Sequence, residues 1–160
     1  MVNVAEFPKR TLLGLKRPFI SATSPNSNAP EVIGQLWGEM SKKFFSMQLS
    51  RDDYPVGVGA MWRDEAFEQD GSMIYFAGYE VHEVPVDLGG LEVLVIEPSN
   101  YALVEHQGPI SELPATITNF YSKLLPESNL ERRVGMDLEI YHESEDPQLP
   151  PRVVIAAPIS

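Results

Sequence analysis

The chain has 160 residues, 12 Lys and Arg against 23 Asp and Glu, a formal net charge of −11 and no cysteine. That length suits one domain that buries about two thirds of the surface its unfolded form exposes, and the missing cysteines exclude disulfides, thiolate zinc sites, iron–sulfur clusters and cysteine nucleophiles. The acidic balance opposes nucleic acid, which is held by clustered Lys and Arg, and with no signal peptide and no run of about 18 apolar residues the chain reads as soluble and cytoplasmic.

The opening segment VAEFPKRTLLGLKRP, Val4 to Pro18, has an apolar strand, a proline turn, a second apolar strand and a closing proline. The same order returns in VLVIEPSNYALVEHQGP, Val93 to Pro109. Each copy precedes one amphipathic helix and two strands, so the chain reads as a single domain built from two pseudo-repeats, about 1–85 and 91–160. The first helix is predicted to begin near Ala29 and Pro30, because proline suits a first helical turn. Ile33, Trp37, Met40, Phe44 and Met47 then form one apolar stripe at helical spacing. Next comes GAMWRDEAF, which places Trp62 at a strand end beside a charged hairpin.

The strand SMIYFAGYEV, Ser72 to Val81, is apolar on both alternating faces, as is RVVIAAPIS, Arg152 to Ser160. An antiparallel sheet with one wet face alternates instead. Both faces of these strands are therefore expected to be covered, by a partner subunit or by a pocket with an apolar lining. In the second helix Ser111 is the expected N-cap, Leu113, Ile117, Phe120 and Leu124 form the stripe, and Pro126 is the expected stop. VGMDLEIYHES, Val134 to Ser144, sets Asp137, Glu139 and Tyr141 on one alternate set and Met136, Leu138 and Ile140 on the other. Glu139 either points to water or faces inward as an anion suited to a cation or a proton donor. The turn HESEDPQLPP, His142 to Pro151, links this strand to the last one.

YALVEHQGPISELPATITNFYSKLLPESN, Tyr101 to Asn129, resembles the signature of the GyrI-like small-molecule-binding domains, the effector-binding modules of regulators such as BmrR, Rob and TipA. YFAGYEV, Tyr75 to Val81, and MDLEIY, Met136 to Tyr141, fall where that family has its glycine-containing strand and its glutamate strand. The resemblance covers essentially the whole chain. It implies an α+β fold of tandem strand-helix-strand-strand modules with pseudo-twofold symmetry, in which a curved antiparallel sheet and two long helices leave a ligand groove. It also implies that Glu139 points into an aromatic pocket and pairs with the cationic centre of a lipophilic ligand. A carboxylate among rings is poorly solvated and gains most from a delocalised, weakly hydrated cation. Tyr141, Trp37, Tyr121 and Tyr75 are the expected ring partners, with Trp62 a further candidate at the rim. No helix-turn-helix segment accompanies the module in this sequence, so a stand-alone form without direct DNA contact is expected.

Three functions follow from this reading. The first is a binding module that senses or sequesters lipophilic cations, with a separate protein or a second copy as its partner. The second is a hydrolase of electrophilic, cyclopropane-containing toxins, with Glu139 as general base or acid and Tyr141 or Tyr121 as proton donor. The third is an inhibitor of a gyrase-type enzyme, acting through its acidic surface. His82, His106 and His142 lie at no metal-ligand spacing and none is an assured axial ligand, so no metal or cofactor is expected.

Overall fold

The computed structural model describes residues 2–21, 24–143, 146 and 148–160. In chain order its elements are β1 (Asn3–Phe7), β2 (Arg10–Ile20), α1 (Ala29–Ser46), β3 (Val56–Arg63), α2 (Phe67–Asp70), β4 (Ser72–Glu80), β5 (Glu92–Ile96) and β6 (Ser99–His106). A second long helical segment follows, made of a 3₁₀ turn (Ile110–Glu112), α3 (Leu113–Asn119), a π turn (Phe120–Leu124) and α4 (Leu125–Glu127), before β7 (Asp137–His142) and β8 (Arg152–Pro158). Strand pairing is antiparallel. The fold is α+β, and the strand-helix-strand-strand order expected from the sequence is present twice, as β2-α1-β3-β4 and as β6-helix-β7-β8. The turn joining β7 to β8 includes Ser144, Glu145 and Pro147, which lie outside the described residues.

Two compact units account for the chain. A central unit spans Thr11–Val95, and a terminal unit joins the first ten residues to Ile96–Ser160. In the central unit the strand order is β3-β4-β2-β5, and in the terminal unit it is β1-β6-β8-β7. The strand that opens the sequence therefore pairs with β6, from Asn3 opposite Leu103 to Phe7 opposite Ser99. The Phe7 ring stacks on Tyr101 at 4.9 Å, which fixes that edge by a ring contact in addition to the ladder.

The first helix begins as expected. Pro30 lies in its first turn, Glu31 is at its positive end and Lys43 is at its negative end. It closes with Gln48 at φ 59°, where Gln48 N donates to Phe45 O and Leu49 N to Phe44 O, so two terminal carbonyls are satisfied without a glycine. Ala29, Leu36, Met40 and Phe44 are buried, while Ile33, Trp37 and Met47 are half-buried. Leu36 completes the stripe between Ile33 and Met40, and each fully buried side chain of this size contributes about 1.5–3 kcal/mol.

The second helix departs from expectation at both ends. Ser111 lies inside the 3₁₀ turn that starts after Pro109, and its side chain makes no cap hydrogen bond. Pro126 does not stop the helix, which continues to Glu127 and ends where Asn129 adopts φ 60°. Proline removes one donor and its ring pushes against the carbonyl four residues back. The π turn over Phe120–Leu124 widens the helix at that point and relieves the clash, so the chain passes Pro126 without breaking.

β4 and β8 are buried along their length, as their doubled apolar faces led one to expect, but it is the chain itself that buries them and neither a partner subunit nor an apolar pocket is required for it. Tyr75 through Tyr79 are buried in β4, and Val153 through Pro158 are buried in β8. On one face of the terminal unit, Val153, Ile155 and Ala157 of β8 meet Leu113, Phe120 and Leu125 of the helix. His106 ties the start of that helix to β6. Its Nε2 donates to Pro109 O at 2.9 Å and its Nδ1 shares a hydrogen with Thr116 Oγ1 at 2.7 Å, a structural role consistent with its burial.

Candidate functional site

Directly opposed residues of an antiparallel pair point to the same face. Glu139 is opposite Ile155 and Tyr141 is opposite Val153, and both partners belong to the cluster covered by the second helix. Asp137, Glu139 and Tyr141 therefore project on the helix-covered face, while Leu138 and Ile140 are buried on the other. The helix answers with Tyr121, whose ring sits edge-on to Phe120 at 4.9 Å and packs on the same cluster as Tyr141. Glu139 is half-buried at this border.

The polar groups here converge. Tyr141 donates its hydroxyl to Glu139 Oε1 at 3.4 Å, long for a hydroxyl bond. Burial, and after it the Glu139 carboxylate, pushes the Tyr141 hydroxyl up from its ordinary value. Burial does the same to Tyr121, with Asp137 and Glu139 adding to it and Arg132 opposing. Both phenols thus stay protonated at neutral pH, and Tyr141 is the one that donates. Arg132 places its guanidinium 5.2 Å from the centre of the Tyr121 ring and donates Nη2 to both Asp137 oxygens, at 2.9 and 3.1 Å. One carboxylate with a hydroxyl donor, one carboxylate with a guanidinium, and two tyrosine rings make up the patch.

The central unit holds a second aromatic group. Trp37 Nε1 donates to Tyr75 Oη at 3.1 Å, and the Trp37 ring lies 5.9 Å from Tyr79 at 65°. Tyr79 contacts Phe44 at 4.6 Å and carries the Arg51 guanidinium 4.2 Å above its ring centre. Glycines of β3 make the space. A methyl on Gly59 would lie 2.0 Å from Tyr75 Oη, whereas one on Gly57 would meet Tyr79 at 3.4 Å and Trp37 at 3.5 Å.

Of the residues singled out in the sequence, Glu139, Tyr141 and Tyr121 thus meet in the terminal unit, and Trp37 and Tyr75 meet in the central unit. Trp62 is opposite Ile74, and so projects from the β3–β4 face that alternates with the one bearing Met61 and Tyr75. Four residues were not anticipated as parts of either group: Asp137 and Arg132 in one, Tyr79 and Arg51 in the other. The spacing of Tyr75, Ala77 and Tyr79 already put both tyrosines on one strand face, and Gly57 and Gly59 share that period. Among the described residues no cluster of three or more His, Asp or Glu could hold a metal ion.

A family model described as the GyrI-like small molecule binding domain matches residues 1–159. The transcriptional regulator BrlR of Pseudomonas aeruginosa is 28% identical over 132 residues, 81% of this chain. The match covers 47% of BrlR, so the chain spans about half the length of that relative. The solved structure of SAV2435 bound to tetraphenylphosphonium has the same fold, with a TM-score of 0.76 at 15% identity, covering 100% of this chain and 94% of that one. A hydrolase from Listeria innocua is more distant in shape, with a TM-score of 0.51 at 15% identity over 99% of this chain and 91% of its own.

Proposed function

The chain belongs to the family of GyrI-like small molecule binding domains, and on that premise we propose that it binds lipophilic aromatic cations, with Glu139 as the anionic anchor. The observation that supports this reading most is the shared face of Glu139, Tyr141 and Tyr121. A carboxylate beside ring faces favours a cation that is large and weakly hydrated, because such a guest loses little on leaving water and gains about 0.5–2 kcal/mol per ring face. Tetraphenylphosphonium is a cation of this kind, and the fold relative SAV2435 has been captured with it. The role is sensing or sequestration in the cytoplasm, with any output delivered through a partner protein or a second copy. Direct binding of DNA by this acidic module is not part of the proposal.

The test is calorimetric titration with tetraphenylphosphonium and with neutral triphenylphosphine oxide, on the parent protein and on Glu139→Gln. The cation is expected to lose about 1.5–3 kcal/mol, the range for an interaction with a charged group, and the neutral compound far less. Equal weakening of both would assign Glu139 a shape role, and absence of cation binding to the parent would overturn the reading. Unchanged binding with abolished turnover of an electrophilic substrate would favour hydrolysis instead.

A further inference from the structure

We propose that the outer edge of β5 is a docking strand for an extended segment of a partner protein in which apolar residues alternate with Lys or Arg. β5 follows β2 at the end of the central unit's strand order, and no described strand lies beyond it. Such an edge leaves a row of backbone N–H and C=O groups able to pair with another chain, and folded proteins blunt it with a charge or a proline inside the strand. β1, at the end of the terminal unit's order, carries Glu6 in its interior. β5 reads Glu-Val-Leu-Val-Ile, so its one charge stands at its first residue and its interior has none. Val93 and Val95, two residues apart and therefore on one strand face, are 38% and 42% exposed. The connection that leads into β5 adds Val84 and Val86, both exposed.

Charge selects the chemistry of the occupant. From His82 to Ile96 the chain holds Glu83, Asp87 and Glu92, all exposed, and neither Lys nor Arg. Lys16 of β2 lies 3.6 Å from Glu92, and Lys43 of α1 lies against Gly90. The Lys16–Glu92 pair is half exposed on both sides, where screening leaves it weak. Around these two lysines the whole chain carries a net charge of −11, so a second copy is repelled from the edge and a basic segment is drawn to it. The alternation fits as well. Glu92 and Leu94 lie on the strand face opposite Val93 and Val95. An added strand that alternates apolar with basic residues sets its apolar side chains beside the two valines and its cations on the face of Glu92, while its backbone extends the ladder. The edge makes no use of Glu139, so this surface stands independently of the cation site.

Two peptides of one composition provide the probe. Acetyl-Lys-Val-Lys-Val-Lys-Val-Lys-amide alternates, whereas acetyl-Lys-Lys-Val-Val-Val-Lys-Lys-amide carries the same charge and the same valines in blocks. Titrated into the protein and followed by nuclear magnetic resonance, the alternating peptide is expected to bind about tenfold more tightly than the block peptide, the size of a short apolar strand contact. Successive amides of a strand point to opposite edges, so the alternating peptide should slow hydrogen exchange of at least one amide among Val93, Leu94 and Val95. Val93→Thr with Val95→Thr keeps the branched shape and removes the apolar contact, and should cost the alternating peptide about tenfold. Glu83→Gln, Asp87→Asn and Glu92→Gln together should weaken it and flatten its dependence on salt. These two sets of substitutions fall at exposed positions, and each tests the proposal without the other. Equal binding of the two peptides overturns it, as does alternation-selective binding that leaves the β5 amides unprotected. A dimer of the parent in sedimentation that the threonine substitutions dissolve would give the edge to a second copy and likewise overturn it.

Discussion

Gly59→Ala tests how tightly the aromatic group of the central unit is built. The new methyl would lie 2.0 Å from Tyr75 Oη and 2.6 Å from its Cζ, both inside any real contact distance. Tyr75 is fully buried, so its ring has no open space into which to swing. Overpacking of this kind costs about 1–3 kcal/mol, and loss of the Trp37–Tyr75 hydrogen bond adds about 1 kcal/mol. The sum is about 2–4 kcal/mol, which for a chain of this length lowers the melting temperature by about 5–15 °C. Gly57→Ala is the control on the same strand face, because its methyl would make ordinary contacts at 3.4 Å to Tyr79 and 3.5 Å to Trp37. It should leave stability unchanged or raise it slightly, since alanine loses less chain entropy than glycine on folding. Adding Tyr75→Phe to Gly59→Ala should recover only part of the loss, because Cζ remains at 2.6 Å. Calorimetric melting of the four proteins reads these differences. If Gly59→Ala melts with the parent, then Tyr75 is not wedged over β3 and the account of why glycines recur there is wrong.

Arg51→Gln should destabilise the central unit by about 1–2 kcal/mol, because Arg51 donates Nη1 to Tyr79 Oη and covers its ring; a urea melt of the variant against the parent measures it. The tyrosines give a pH prediction. Burial raises the hydroxyls of Tyr101, Tyr121 and Tyr141 above their ordinary value. The folded protein therefore keeps protons that the unfolded chain releases above about pH 10, so stability must fall as pH rises past that point. Absorbance at 295 nm through an alkaline titration should show these phenols ionising late and together with unfolding. A complete phenolate signal from a still-folded protein would contradict the assigned burial.

The parts of the fold that were legible in the sequence are those in which one strong local rule acts alone. Proline in a first turn and a stripe at helical spacing located α1, and doubled apolar faces located β4 and β8 as strands covered on both sides. Pro126 was misread because two rules compete there. A proline inside a helix disrupts it only if the helix keeps its regular pitch, and the π turn over Phe120–Leu124 removes that condition. The site divides in the same way. Alternation along β7 put Glu139 and Tyr141 on one face from the sequence alone. Arg132 had no such signal, since it lies in an irregular stretch whose position is set by a bridge to Ile159, 27 residues away in sequence. Tyr79 was legible by period from Tyr75 but not as a ring that carries a guanidinium, because Arg51 comes from a loop.

The two arginines bear on which unit the proposed cation site belongs to. Arg51 lies five residues beyond Ser46, the last residue of α1, and Arg132 lies five residues beyond Glu127, the last residue of the second helix. Each places its guanidinium on a tyrosine ring of its own unit. The two halves thus repeat a device as well as a strand order. They differ in what holds the guanidinium. Arg51 donates to the Tyr54 carbonyl and the Tyr79 hydroxyl, both of them neutral acceptors. Arg132 is held by the Asp137 carboxylate at a half-exposed border, next to Glu139 on the same strand face. A neutral acceptor and a carboxylate thus hold the two guanidinium groups by different means, and the carboxylate pair at partial exposure adds little to stability. The central unit's arginine thus serves packing, and the proposed cation site falls in the terminal unit, beside Glu139.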